Sequence, residues 1–297
     1  MNGRIAVGVD AGGSATVAAR GRGDEPVRTA RGGPANPTTI GIADAADIIL
    51  RTIREVLAGE RPDTIYVGAA GAGRAHVAEE LRSLVASGYP HADVRVGDDA
   101  AIALRSAIDR GPGIVLVAGT GSIAYAEKGD RRARLGGWGS QLGDEGSAFA
   151  IGFAAMRLLS RAIDGRSPRD ETTALVERTF AITSRDDLIA RVYDARLDPA
   201  RVASLAPVIV AFAGKGNRAS TKIVQAAAQE LADLARAAAR AVSLDAPPVA
   251  LAGGLLRENS LLTFLLETRI AGDLPGAMIV RDAGDPSLGA LRLAQAV

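Results

Sequence analysis

Short apolar blocks broken by glycine turns open the chain. Residues 5–9 form one such block, ending on Asp10 and a glycine turn, which is the pattern of a buried strand. Residues 17–20 and 27–31 predict two further short strands, joined by a polar turn around Gly23 and Asp24. Residues 32–37 read as a loop. Over 43–58 the period changes, because Ala46, Ile49, Leu50, Ile53 and Leu57 recur at helical spacing. Thr64–Ala69 then predicts a strand, 77–87 a helix, 94–96 a strand and 100–109 a helix.

The same order begins again after Arg110-Gly111-Pro112-Gly113. Gly113–Ala118 predicts a strand entering the turn Gly119-Thr120-Gly121-Ser122, and 123–126 and 131–135 the next two strands. A helix starts near Glu145 or Ser147 and runs to about residue 162. Helical patterning continues to Val242, including 221–241, and 249–252, 260–268, Met278–Val280 and 287–296 close the order as strand, helix, strand, helix. Segment 164–215 is therefore an insertion in the second half. A strand–turn–strand unit followed by alternating helices and strands implies, in each half, a mixed sheet covered by helices. The expected division is an amino-terminal domain over 1–110 and a carboxy-terminal domain over 111–297, whose last helix packs back on the first. Two such domains enclose a cleft where a small ligand would bind.

Composition narrows the chemistry. The chain of 297 residues has no cysteine, which excludes disulfides, thiolate metal sites, a cysteine nucleophile and cysteine-ligated clusters. Only His76 and His91 could offer imidazole. A net charge of +1 gives no electrostatic case for nucleic acid or an anionic membrane. No apolar run is long enough to span a bilayer, and the amino terminus has no signal-peptide pattern, so the expected location is the cytoplasm.

Five motifs remain. In Asp10-Ala11-Gly12-Gly13-Ser14-Ala15-Thr16 the glycines would let backbone N–H groups approach phosphate oxygens, and the carboxylate could hold Mg²⁺ through water. Gly119 to Ser122 occupies the equivalent place in the second half, so two such turns could clamp a polyphosphate. Asp98-Asp99 follows a strand and opens a helix, where one acid would cap and one could act as a general base. The run from Gly136 to Ser147 holds Trp138, the one tryptophan, among glycines and the acids Asp144 and Glu145, which would also suit a helix start. Last, Leu251-Ala252-Gly253-Gly254-Leu255 would let a flat ring such as adenine lie against the backbone.

In this order the motifs resemble the BadF/BadG/BcrA/BcrD ATPase family, and within it the N-acetylglucosamine kinases of the actin, hexokinase and Hsp70-like superfamily. The resemblance runs from Asp10 to the closing segment Asp285-Pro286-Ser287-Leu288-Gly289-Ala290, and Gly136–Gly152 is its most specific stretch. It implies an α/β fold of two ribonuclease-H-like domains with an interdomain ATP cleft, and a homodimer. It implies ATP and Mg²⁺ as cofactors, with Asp10 near the metal through water, Gly12, Gly13, Ser14 and Thr16 in the first phosphate loop, and Gly119, Thr120, Gly121 and Ser122 in the second. Gly253 and Gly254 would meet adenosine. Asp99 matches the catalytic base, and Asn36, Gly137, Trp138 and Asp144 match residues that hold the sugar. Two positions depart from the family pattern: Ala15 stands where a basic residue is frequent, and Gly216-Asn217 stands for the usual Gly-Asp. The implied reaction is phosphoryl transfer from ATP to the 6-hydroxyl of N-acetylglucosamine, with glucosamine next and N-acetylmuramic acid after it. Relatives that activate dehydratases need a cysteine-held cluster, which this chain lacks. A sugar-sensing protein on the same fold is the non-enzymatic alternative.

Overall fold

The computed structural model describes residues 3–194, 197–257 and 259–296. The chain divides into two compact units, one holding the residues up to Gly111 together with those from Asp282 onward, the other Pro112–Arg281.

The first unit opens with β1 (Ile5–Ala11), β2 (Thr16–Arg22) and β3 (Arg28–Gly32) as an antiparallel meander. A one-turn helix α1 (Pro37–Ile40) and then α2 (Ile42–Leu57) follow. β4 (Thr64–Ala69) lies parallel to β1, and β5 (Asp93–Asp98) parallel to β4, with α3 (Ala75–Gly88) between them and α4 (Asp99–Ala107) after. The strand order is β3-β2-β1-β4-β5. α2 buries Ile49 and Ile53 against Val7, Val9, Ile65 and Val67, the inward residues of the sheet. The helical spacing read from 43–58 is that apolar face.

The second unit repeats the plan. β6 (Gly113–Ala118), β7 (Ser122–Lys128) and β8 (Arg131–Gly136) form the meander, and α5 (Ala148–Ile163) covers it. The insertion follows as α6 (Glu171–Phe180), α7 (Arg185–Tyr193), α8 (Pro199–Ala203) and α9 (Ala206–Gly214). After the long α10 (Arg218–Ala241) come β9 (Pro248–Ala252), α11 (Leu261–Asp273) and β10 (Met278–Val280), in the order β10-β9-β6-β7-β8. Read from the other edge, this is the order of the first sheet. The core joins Ile114, Leu116, Ile151, Leu159, Leu231, Leu251 and Leu266.

The last helix, α12 (Pro286–Gln295), returns to the first unit and lies on β1 and α4. Its approach is a backbone contact. A methyl group added at Gly8 would lie 2.0 Å from the Leu291 amide nitrogen, and one at Gly289 2.0 Å from the Ile102 carbonyl oxygen. Arg292 reinforces the packing by donating to the Arg105 and Ser106 carbonyls at 2.6 and 3.0 Å, which tail α4.

Such contacts leave no room for a side chain. Gly8→Ala and Gly289→Ala are each expected to cost about 3 kcal/mol or more, since neither backbone can yield without moving an element. Gly272→Ala, in open space on α11, should be neutral or mildly stabilising. Chemical denaturation of the three variants checks this, and equal midpoints would disprove it.

Candidate functional site

In the first unit the candidate residues gather at the carboxyl ends of the parallel strands. Asp10 stands near the end of β1, in register with Gly68, which is in turn paired with Gly97. Asp98 closes β5 one position later, two strands away, so on ordinary strand spacing the two acids sit about 10 Å apart along the edge. Gly12, Gly13 and Ser14 form the exposed turn between β1 and β2, shaped by Gly12 N–H donating to the Ala15 carbonyl at 3.0 Å. Thr16 is buried, and its hydroxyl donates to the Gly33 carbonyl at 2.8 Å. Ala35 N–H donates to Gly12 O at 3.0 Å, which ties the loop carrying Asn36 to the glycine turn. Asn36 caps α1: its Oδ1 accepts from Thr38 N–H and from the Thr38 hydroxyl at 2.9 and 2.7 Å.

Of the paired acids, Asp98 is the cap, accepting from Ala100 N–H at 2.8 Å. Asp99 is therefore the first residue of α4, its carboxylate favoured by the positive end of that helix. The carboxyl of Asp10 is pushed up to about 6, first by burial and then by the charge of Asp285. Asp285 caps α12, accepting from Ser287 N–H at 2.8 Å; in the sequence it stood out only as the first residue of the closing segment.

The second unit builds its half of the residues around one strut. Asp144 is buried, in the left-handed region at φ 61°, and accepts a long hydrogen bond of 3.4 Å from Ser122 N–H. Gly121 passes so close that a Cβ there would lie 2.8 Å from Asp144 Oδ2. Burial raises the pKa of the Asp144 carboxyl from its ordinary value, against the lowering effect of the Ser122 and Gly139 N–H groups. Ser122 Oγ donates to Glu145 O at 2.7 Å, while Ala148 and Phe149 N–H donate to Gly119 and Thr120 carbonyls at 2.9 and 3.2 Å. The turn at Gly119 to Ser122 is thus held from below by the 144–149 segment. Of the two starts the sequence offers for this helix, Glu145 and Ser147, the structure takes Ser147, which accepts from Ala150 N–H at 3.1 Å; Asp144 and Glu145 lie before it, because the left-handed turn at Asp144 and Gly146 delays the start of α5.

Gly137 donates its N–H to Ser122 O at 2.8 Å. Trp138 is 72 % exposed, which excludes the core role a lone tryptophan usually has. Gly253 has φ 88°, and a methyl there would sit 2.3 Å from the Ala118 carbonyl, so β9 turns hard against the end of β6. This brings Gly254 beside Gly119 and Thr120 on a cavity of about 460 Å³ whose other walls include Ala148, Ser204 and Pro207. The walls from α8 and α9 are side chains that motif reading passed over, for they carry no chemical pattern of their own.

Asn217, the departure from Gly-Asp, caps α10 by accepting from Ser220 N–H at 2.9 Å. Its amide also donates to Asp170 Oδ2 at 3.3 Å, the cap of α6. Here asparagine performs the cap and adds a bond that aspartate would turn into repulsion.

The chain matches the sequence profile of the BadF/BadG/BcrA/BcrD ATPase family over residues 7–294. It belongs to that family. It is 28 % identical to the N-acetyl-D-glucosamine kinase of Dictyostelium discoideum, over 99 % of this chain and 98 % of that one. It is 30 % identical to the N-acetylmuramic acid/N-acetylglucosamine kinase of Clostridium acetobutylicum, over 80 % of this chain and 78 % of the relative. Among solved structures, one from Chromobacterium violaceum, provisionally named an N-acetylglucosamine kinase, superposes with a TM-score of 0.76 at 29 % identity, covering 98 % and 99 % of the two chains. The fold class expected from the resemblance, α/β with two similarly ordered mixed sheets, is the one observed.

Two outcomes follow from the electrostatics. Asp10 has a folded pKa above its unfolded value of 3.8, so the stability it contributes is complete below that value and is lost as pH rises through about 6. Asp10→Asn should therefore be more stable than the parent above pH ~6, the difference closing as pH falls, by denaturation without divalent cations. Asn217→Asp should be destabilised at neutral pH and recover toward pH ~4, because two carboxylates so close cannot both ionise without cost. A pH-independent difference in either variant would contradict these assignments.

Proposed function

We propose that this chain is an ATP-dependent kinase that phosphorylates the 6-hydroxyl of an amino sugar, N-acetylglucosamine before others. The observation that carries the reading is the repeated hairpin. Each unit presents a glycine turn between the first two strands of the same sheet order, with amide groups suited to phosphate oxygens, and one of them heads a cavity that also meets Gly254. Membership of an ATPase family, and relatives named as kinases of N-acetylglucosamine, support it.

Asp10, a carboxylate raised first by burial and then by the charge of Asp285, offers an oxygen donor that would suit Mg²⁺ held through water, since that ion retains several waters and binds substrate phosphates. When bound, the ion would neutralise charge on the phosphates being transferred. The residues of the chain do the rest. Asp99, at the head of α4, accepts the proton of the attacking hydroxyl. Asn36, Gly137, Trp138 and Asp144 hold the sugar, the exposed indole offering an apolar face to the ring. Within the loops formed by Gly12, Gly13, Ser14 and Thr16 and by Gly119 to Ser122, the amides of Gly13, Ser14, Thr120 and Gly121 meet phosphate oxygens and stabilise the charge that develops, while Gly12, Thr16, Gly119 and Ser122 shape the turns through their own hydrogen bonds. Asp144 has a second duty, since its carboxylate also bonds the second loop, so sugar and phosphate positioning share one side chain.

ADP release measured with ATP, Mg²⁺ and one sugar at a time is expected to depend on N-acetylglucosamine, with glucosamine, glucose, N-acetylmannosamine and N-acetylmuramic acid as the comparison set. Asp99→Asn should lower that turnover roughly 10²–10⁴-fold with only a small drop in denaturation midpoint from the lost charge at the head of α4. Sugar-independent binding of ATP without turnover would instead favour a sensing protein on the same fold.

A further inference from the structure

The insertion looks chemically silent in the sequence, yet α8 and the start of α9 form one wall of the cavity beside the second loop. Ala200 and Ala203 of α8, Ser204 at its end and Pro207 in the first turn of α9 all line it. The other side of α8 is pinned. Val202 is fully buried, and Gly152 of α5 lies so near that a methyl there would be 2.1 Å from the Val202 carbonyl oxygen. Asp198 fixes the helix start by accepting from Ala200 N–H at 2.9 Å. The wall is therefore rigid at the level of its backbone, and its small side chains leave space for a flat ring between it and Gly254.

Its hydroxyl has a defined polarity. Ser204 Oγ donates to the Arg201 carbonyl at 2.7 Å. The Leu205 N–H, which in a regular turn would serve that carbonyl, donates to Val202 O at 3.2 Å instead. With its proton engaged in this way, Ser204 offers lone pairs to whatever enters the cavity. Ser260 on the same cavity is occupied as the cap of α11, accepting from Thr263 N–H at 3.3 Å.

We propose that Ser204 reads the nucleobase, accepting a hydrogen bond from an exocyclic amine and so selecting a 6-aminopurine over a 6-oxopurine. This rests on the kinase reading above and deepens it, assigning base selection to the insertion rather than to the glycine loops. A 6-oxo group would face the serine's lone pairs, and would be accommodated only if the Arg201 carbonyl lost its donor.

The test compares ATP, ITP and GTP. In the parent, kcat/KM should favour ATP over ITP and GTP by about tenfold or more. Ser204→Ala should reduce that preference to within about threefold, through a loss with ATP, leaving KM for the sugar unchanged. Ser204→Thr, which keeps the acceptor, should restore it. A preference unaltered in Ser204→Ala, or a parent that uses ITP as well as ATP, overturns the proposal. Calorimetric binding of ATP and ITP without sugar separates the two readings. A chain that binds ATP over ITP through Ser204 but transfers no phosphate keeps this assignment and loses the kinase. A chain that phosphorylates sugar from either nucleotide equally keeps the kinase and loses this assignment.

Discussion

The contact of α12 with β1 and α4 is the constraint on which the first unit depends. Gly8 and Gly289 let backbones meet at distances no other residue permits, so α12 acts as a buttress across the back of the sheet. Three candidate groups are consequences of it. Asp285 caps α12 and is carried to Asp10, α4 is held with Asp99 at its head, and β1 is fixed under the turn at Gly12. An arrangement set by backbone contact has little freedom to drift, which is what a charge-sensitive site requires.

The second unit reaches a similar rigidity by another route. Its glycine turn is not buttressed by a helix but hung on a buried carboxylate. Asp144 occupies a left-handed conformation that costs energy for a residue with a Cβ, and hydrogen bonds from 144–149 to the turn offset that cost. Strain and burial coincide at this one acid, and both are met by its contacts with the turn. Gly253 completes the arrangement by turning β9 tightly enough to bring Gly254 beside the turn.

The insertion changes character once its position is known. Four helices without a motif would ordinarily be packing, and most of their buried residues are that. The wall formed by Ala200, Ala203, Ser204 and Pro207 differs because it is small and turned toward the glycine loops. Small side chains are silent in a pattern search, since alanine, serine and proline serve helices and turns everywhere.

Local chemistry explains which features could be read along the chain. β4, β6 and β10 appear with the bounds their apolar runs predict, and the helical spacing over 43–58 became α2, because period and turn residues act within a few positions. The glycine turns and the acid pair were visible for the same reason, each being a contiguous cluster with a single chemical meaning. Long-range contact decided the remainder. That Asp144 supports the second loop, that Asp285 approaches Asp10, and that Ser204 faces a cavity with Gly254 all depend on residues tens to hundreds of positions apart, whereas the choice of Asp98 as cap is a contact with Ala100 two residues on. Sequence carries the local preference of each residue, but which hydroxyl or carboxylate meets which loop follows from packing that only the folded chain creates.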